Sequence, residues 1–155
     1  MIKDMDVIRQ TSENGKGNVL PRAYMRLMAT SAIVISIMVN PVSAKIYYAS
    51  LGGHGDGSSV GSSFSVASFW DEAQPGDTLI LLDGLYTGPR SMVKPPKNLS
   101  GKKDSPITVR ALRNGKVTID GKGVLQPVAL YHNDWWVIEG INACNSKSTV
   151  VNLSR

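Results

Sequence analysis

Short β-type segments that recur at a regular spacing constrain the fold of this chain more than any other feature. Six segments of four to six residues lie at 78–82, 106–111, 117–120, 127–131, 136–141 and 149–153, and turn residues separate them. Ile107, Val128 and Val150 follow one another at intervals of 21 and 22 residues. A second series, Val117 and Val137, has an interval of 20. A period of this length indicates one coil of a β-solenoid.

The turns between the segments favour parallel stacking of successive coils. Turns such as Arg113-Asn114-Gly115 are too short for the helical crossover of a βαβ unit. We therefore expect each strand to pair with its counterpart one coil later, so that Ile107, Val128 and Val150 form one buried row. An antiparallel sandwich also has alternating strands and turn residues, and it stays the alternative fold.

Alternation within the segments predicts which side chains face the core. The expected inward residues are Ile107, Val109, Ala111, Val117 and Ile119. The expected outward residues are Thr108, Arg110, Lys116, Thr118 and Asp120. The segment from Trp135 to Glu139 does not alternate, so it does not show which of its two tryptophans is buried.

Residues 25–44, MRLMATSAIVISIMVNPVSA, are typical of a secretory signal. Arg26 precedes an apolar run that is short for a membrane span, and Val42-Ser43-Ala44 supplies the small residues that a signal peptidase reads. We therefore assign residues 1–44 to an upstream extension and signal peptide, and residues 45–155 to the folded domain. A secreted or periplasmic protein without a membrane span after cleavage is expected; a retained anchor and translation from Met25 are the alternatives.

The start of the domain predicts one strand and one helix. Residues 46–49 form a short β-type run, which a Gly/Ser-rich loop follows. Between Phe64 and Ala73 the apolar residues recur at helical spacing, Ser65 is a suitable N-cap, and Pro75-Gly76 ends the segment. We expect a short amphipathic helix that covers an apolar surface.

Charge and cysteine content narrow the class of protein. The formal net charge is +5, and the part after residue 44 has a surplus of three basic residues. This mild surplus suits a polyanionic carbohydrate at least as well as nucleic acid, and the charge alone does not choose between them. The single cysteine, Cys144, excludes an internal disulfide, and we expect it to be a small buried side chain.

Four stretches, AQPGDTLILLDGLYTG, SPITVRAL, GKVTIDG and WWVIEGI, resemble the N-terminal region of right-handed parallel β-helix proteins related to pectate lyases, alginate lyases and chondroitinase-type enzymes. The resemblance extends from about residue 46 to the end. It implies that the short helix caps the first coil and that the PGDT turn, 75–78, leads into the first coil strand. Since such proteins have many more coils, we also expect a fragment that is poorly soluble or self-associates through its open end.

The resemblance implies an exported polysaccharide lyase-like protein that acts on acidic, uronate-containing polysaccharide by β-elimination. Such an enzyme neutralises the uronate carboxylate with Ca²⁺ or a cationic side chain and presents a basic residue to the adjacent C–H. The candidate catalytic residues are Arg110 and Lys116, and the candidate substrate-binding residues are Trp135 and Glu139. The simpler interpretation of each residue is an outward charge on a solvated face or an aromatic that covers a turn. The partner that the resemblance implies is an acidic polysaccharide and not a nucleic acid.

No cofactor is expected in this stretch, although Ca²⁺ stays open for a longer protein. Asp56 and His54 share a Gly-rich loop, but neither His54 nor His132 has a metal-ligand spacing, so we predict no metal site. The alternative function is a non-catalytic structural or adhesion solenoid. A glycoside hydrolase of the same fold is a weaker alternative, because it needs paired carboxylates that the sequence does not show.

Overall fold

The computed structural model describes residues 43–154. Its helix is α1 (Val66–Glu72), and a short 3₁₀ helix spans Pro89–Ser91. The strands are β1 (Ile46–Ala49), β2 (Thr78–Leu81), β3 (Gly84–Thr87), β4 (Ile107–Ala111), β5 (Val117–Asp120), β6 (Val128–Tyr131), β7 (Trp136–Glu139), β8 (Ile141–Cys144) and β9 (Val151–Ser154).

All pairs between these strands are parallel, and they form three sheets. The first sheet has the order β1-β2-β4-β7, the second β3-β5-β8 and the third β6-β9. One coil contributes a strand to each sheet in turn, as β4, β5 and β6 do before β7, β8 and β9 repeat the path. The chain therefore winds as a right-handed parallel β-helix, which confirms the predicted fold and excludes the antiparallel sandwich.

The core consists of side chains stacked in register from coil to coil. In the first sheet, Tyr47, Leu79, Val109 and Ile138 occupy corresponding positions of four successive strands. Leu79 and Val109 are fully buried, and Ile138 packs against the same cluster. The five residues expected to face inward from β4 and β5 are all buried, because alternation fixes the face of each side chain within a strand.

The predicted stacking register is wrong. Ile107 pairs with Trp136 rather than Val128, and Val128 pairs with Val151 rather than Val150. In the same way, Val117 pairs with Ile141 and not with Val137. The intervals from Ile107 to Val128 and from Val117 to Val137 connect strands of different sheets, since every coil carries several aliphatic strands of similar composition. Val150 instead precedes β9 in the same sheet as β6 and is one residue away from the true partner of Val128. Partners in the sheets lie further apart in sequence, from 23 residues between β6 and β9 to 33 between β3 and β5.

Two strand assignments and one burial assignment also need correction. The segment 136–141 is split at Gly140 into β7 and β8, and β3 was not predicted. Asp120 lies on the outward side of β5 as expected but is only 5% exposed. The backbone N–H of Lys122 donates to its Oδ1 at 2.8 Å, and the Lys122 ammonium lies 2.9 Å from its Oδ2. The bonds from Lys122, led by its backbone N–H, hold the pKa of Asp120 below its ordinary value.

Helix α1 has the predicted cap and the predicted buried face. The Ser65 hydroxyl accepts a hydrogen bond from the backbone N–H of Ser68, as an N-cap side chain does. Val66 and Phe69 are buried, and the Phe69 ring meets Tyr47 of β1 edge-on at 5.6 Å between centroids. The helix therefore covers apolar surface at the first coil strand.

Candidate functional site

The outward face of the first sheet brings a basic and an acidic side chain together. In-register pairing places Tyr48, Ile80, Arg110 and Glu139 in one row across β1, β2, β4 and β7. Arg110 and Glu139 are both exposed and are direct partners across the β4–β7 pair. Since adjacent strands are about 4.8 Å apart, one ligand can contact both side chains.

These two residues border an open concavity of about 340 Å³. Its lining is Arg110, Ala111, Leu112, Asn114, Glu139 and Gly140. Its floor is the corner where the chain passes from the first sheet to the second, and the Gly115 N–H donates to the Gly140 carbonyl at 2.9 Å between successive coils. Gly140 has φ +71°, and a Cβ there would lie 3.3 Å from the Asn114 Oδ1 atom. Glycine therefore lets the two turns stack closely.

Charge pairing leaves Arg110 available for a ligand. Among residues 43–154 the ion pairs are Arg113 with Asp83 and Lys122 with Asp120. The hydrogen bond that Arg113 Nε donates to Asp83 Oδ2 raises the pKa of Arg113, so this nearby guanidinium is already paired with a carboxylate. The Arg110 guanidinium has no hydrogen bond or ion pair to another described residue, and the side chain, with its five N–H donors, is exposed.

The other sequence candidates lie apart from this concavity. Lys116 is exposed, and its backbone N–H donates to the Arg113 carbonyl in the turn before β5. It does not line the concavity that contains Arg110 and Glu139. Sequence analysis named Arg110 and Glu139 but missed Asn114 and Gly140. Glycines at 115 and 140, in turns one coil apart, were the signal that could have located this corner.

The structure distinguishes the two neighbouring tryptophans. Trp136 packs against the core, its Nε1–H donates to the Leu99 carbonyl at 2.9 Å, and its ring meets Trp70 edge-on at 5.9 Å. Trp135 is 52% exposed, with φ +59°. It lines a second concavity, together with Asn133 and Asp134, and not the one at Arg110. Trp135 is thus the tryptophan that can contact a sugar ring.

Asp56 organises its own loop. Its Oδ1 accepts hydrogen bonds from the backbone N–H and hydroxyl of Ser58 and from the hydroxyl of Ser62. These bonds, with the Ser58 hydroxyl foremost, lower the pKa of Asp56 to about 2. His54 is exposed in the same loop. Within residues 43–154, no group of three or more His, Cys, Asp or Glu side chains is arranged to hold a metal ion.

The site can bind an anionic, hydroxyl-rich ligand. A free guanidinium presents parallel N–H donors that match the two oxygens of a carboxylate. The Glu139 carboxylate and the Asn114 amide can bond to hydroxyl groups on either side of it. This donor and acceptor set is suited to a sugar acid and less to a nucleic acid, where a basic surface without acidic neighbours is typical.

Comparison with known proteins agrees with the parallel β-helix fold. Residues 60–152 match the family model described as Chondroitinase B. Among solved structures, the chain is similar to one titled "Crystal structure of pectate lyase Pel9A", with 26% identity and a TM-score of 0.50. The similar region covers 65% of this chain and 28% of the pectate lyase chain. No curated protein matches the sequence.

The predicted secretory signal lies outside the described residues, apart from Ser43 and Ala44 at its end. No helix within residues 43–154 combines the length and the apolar character that a membrane span requires.

Proposed function

The chain belongs to the Chondroitinase B family, and from that premise we propose that it binds an acidic, uronate-containing polysaccharide on the outward face of its first sheet. The family and the similar pectate lyase are polysaccharide lyase-like β-helix proteins. Chondroitin and pectate, the polymers in their names, both contain uronate sugars. A carboxylate on the sugar is therefore the feature that a shared site would recognise.

The observation that carries the proposal is the free guanidinium of Arg110 beside Glu139. The uronate carboxylate binds Arg110 through two parallel hydrogen bonds, and the sugar hydroxyls bond to Glu139 and Asn114. Trp135, in the second concavity, offers its exposed ring to a further sugar of the same chain. A polymer that runs along β7 can meet Trp135 before the start of the strand and Glu139 at its end.

For the reaction we propose β-elimination. A base removes the proton next to the uronate carboxylate, a carbon–carbon double bond forms, and the glycosidic bond to the leaving sugar breaks. Arg110 stabilises the negative charge that develops on the carboxylate. Lys116, in the turn that precedes β5, is the candidate base, and this role requires the bound polymer to extend beyond the Arg110 concavity to Lys116. Export through the signal at residues 25–44 brings the protein to its substrate.

The second candidate is a non-catalytic carbohydrate-binding solenoid. The position of Lys116 outside the Arg110 concavity favours this candidate. Binding requires the Arg110 guanidinium, but it does not require Lys116 to act as a base. The two candidates make the same prediction for affinity and opposite predictions for turnover.

The test measures binding and turnover on the same protein. Affinities for pectate, alginate and chondroitin are measured by titration calorimetry, and cleavage is followed by the ultraviolet absorbance of the unsaturated uronate product, with and without Ca²⁺. Arg110→Ala is expected to weaken binding roughly tenfold, since a hydrogen bond to a charged group contributes about 1.5 kcal/mol. Lys103→Ala removes the same charge from an exposed position that does not line the Arg110 concavity, and it is the matched control.

Equal affinities of the two variants for every polymer would overturn the assigned site. Binding that depends on Arg110 without any unsaturated product would support the non-catalytic solenoid and reject the lyase. Loss of product in Lys116→Ala at unchanged affinity would support the role of Lys116 as base.

A further inference from the structure

The first residue after the predicted cleavage position makes an unusual contact. The backbone N–H of Lys45 donates to Oδ1 of Asp77 at 2.8 Å, and the N–H of Gln74 donates to Oδ2 at 2.9 Å. Asp77 belongs to the PGDT turn and is only 1% exposed. Among residues 43–154, no basic side chain forms an ion pair with it. The Asp77 carboxylate is thus buried with two amide donors and without a described cation.

A buried carboxylate is costly without a positive partner, because burial removes the water that would otherwise stabilise its charge. The backbone nitrogen of Lys45, 2.8 Å from Oδ1 of Asp77, is in a position to supply that charge. In an intact chain this nitrogen is a neutral amide. In a chain that begins at Lys45 it is an α-ammonium at the same place.

We propose that cleavage between Ala44 and Lys45 converts this contact into an ion pair between the new α-ammonium and Asp77, which fastens the first coil. The inference rests on the proposed export, since a signal peptidase must make the cut. Hydrolysis breaks the Ala44–Lys45 C–N bond and adds the water oxygen to the Ala44 carbonyl carbon. The products are the Ala44 carboxylate and the Lys45 ammonium, which takes the proton that the new acid releases.

The position of the Lys45 nitrogen does not depend on the residues before it. The Lys45 carbonyl accepts a hydrogen bond from the Thr78 N–H at 2.9 Å, and the next residue pairs with Thr78 in the β1–β2 ladder. Ser43 and Ala44 are both exposed, so their removal takes no buried side chain from the core. The mature N-terminus is therefore held in place by the strand that follows it.

The surroundings of Lys45 also favour a cation. Lys45 lines a concavity with Asp56 and Glu72, from the Gly/Ser loop and the end of α1. These two carboxylates and Asp77 make the electrostatic potential around the Lys45 nitrogen negative. A negative potential stabilises a charged ammonium at this position more than it stabilises a neutral amide. A charge-assisted hydrogen bond is also roughly twice as strong as a neutral one.

The first measurement locates the mature N-terminus. The full chain is expressed in a secreting host, and the exported product is examined by intact mass and N-terminal sequencing. A start at Lys45 is expected. A product that starts elsewhere, or is not cut, overturns the inference, whereas polysaccharide binding by Arg110 is tested separately and is independent of this result.

The second measurement is a double-mutant-type cycle of four proteins. The processed chain and the unprocessed chain are each prepared in two versions, one with Asp77 and one with Asp77→Asn. Denaturant unfolding gives the folding equilibrium constant of each protein. Asp77→Asn is expected to lower this constant in both forms, and the factor by which it does so should be at least roughly tenfold larger in the processed chain than in the unprocessed chain. Asp104→Asn, at an exposed position, is the control and should affect both forms equally. An equal effect of Asp77→Asn on both forms contradicts the ion pair.

A third measurement needs no variant and applies even if Asp77→Asn fails to fold. An acylating reagent near neutral pH reacts preferentially with α-amines, whose ordinary pKa of about 8 lies below that of lysine side chains. In the folded processed protein the Lys45 α-amine should react at least roughly tenfold more slowly than in denaturant, because it is paired with buried Asp77. The ε-amine of Lys103 serves as the exposed reference. An α-amine that reacts equally in both states rejects the proposal.

Discussion

A buried polar side chain at a corner of the coils, Tyr86, is hydrogen-bonded to specific backbone carbonyl groups. Tyr86 is buried in the second sheet, and its hydroxyl lies 2.7 Å from the Leu82 carbonyl and 2.9 Å from the Ala49 carbonyl. Burial raises the pKa of Tyr86 well above its ordinary value, so the hydroxyl stays a donor. The same residue thus fills the core and ties the end of β1 to the turn after β2. Among the three arginines of residues 43–154, Arg90 and Arg113 bond to other side chains, whereas the guanidinium of Arg110 does not and is available to a ligand.

The pH response of the Gly/Ser loop tests the role of Asp56. Its pKa is lowered to about 2 in the folded chain, against an ordinary value of 3.8. A lowered carboxyl pKa contributes stability that is present above the ordinary value and is lost as the pH falls through the folded value. The Ser58 amide resonance should therefore shift with a midpoint near pH 2, and it should not do so in Asp56→Asn. A midpoint near pH 4 would contradict the hydrogen-bonded loop.

At the scale of the element, strands were predictable where the signal is local. Alternation of apolar and polar residues in 107–111 and 117–119 predicts which side chains of these strands are buried. Ser65 predicts the start of α1. Both features could be predicted because each depends only on residues that are close in the sequence. The register was not predictable, since it depends on the length of the loops between sheets. The strand β3 was missed because only Tyr86 of its four residues is buried.

Gly101 tests how closely the loops approach the strands. A Cβ at this position would lie 2.5 Å from the Trp135 carbonyl oxygen and 2.7 Å from the Ile107 nitrogen. Because both atoms are backbone, neither can move without opening the entrance to β4 and β7. We expect Gly101→Ala to lower the free energy of unfolding by about 2–3 kcal/mol.

Gly61→Ala is the matched control, since a Cβ there has no atom within 4 Å. It should change the free energy of unfolding by less than about 0.5 kcal/mol in urea denaturation. Similar values for the two variants would show that the backbone contact at Gly101 is not tight.

On the scale of the whole molecule, the candidate site depends on how the coils are stacked. Arg110 and Glu139 could each be named from sequence as outward charges, but their proximity follows from the β4–β7 register, which the sequence period misassigned. The same register separates Lys116 and Trp135 from Arg110. In a solenoid, therefore, alternation predicts which single residues face outward. Which of these residues lie next to each other can be predicted only when the number of residues in each coil is known.

Stability should also vary along the axis of the solenoid, because each coil contacts only its neighbours. β4 lies between β2 and β7, and β5 lies between β3 and β8. Among the described strands, β1, β3 and β6 lie at one edge of their sheets and β7, β8 and β9 at the other, so each of the six has one partner strand. Leu153 in β9 is 69% exposed. Strands with one partner open more easily, since fewer hydrogen bonds and apolar contacts must be broken.

Hydrogen exchange read by mass spectrometry should follow this order. Peptides that cover β4 and β5 are expected to exchange at least roughly tenfold more slowly than peptides that cover β9, because partial opening from one side exposes β9 first. A dilution series is the control: protection of β9 that increases with protein concentration would reveal association at that side rather than intrinsic stability. Uniform protection that is independent of concentration would contradict coil-by-coil opening, and would mean that all nine strands unfold as one cooperative unit.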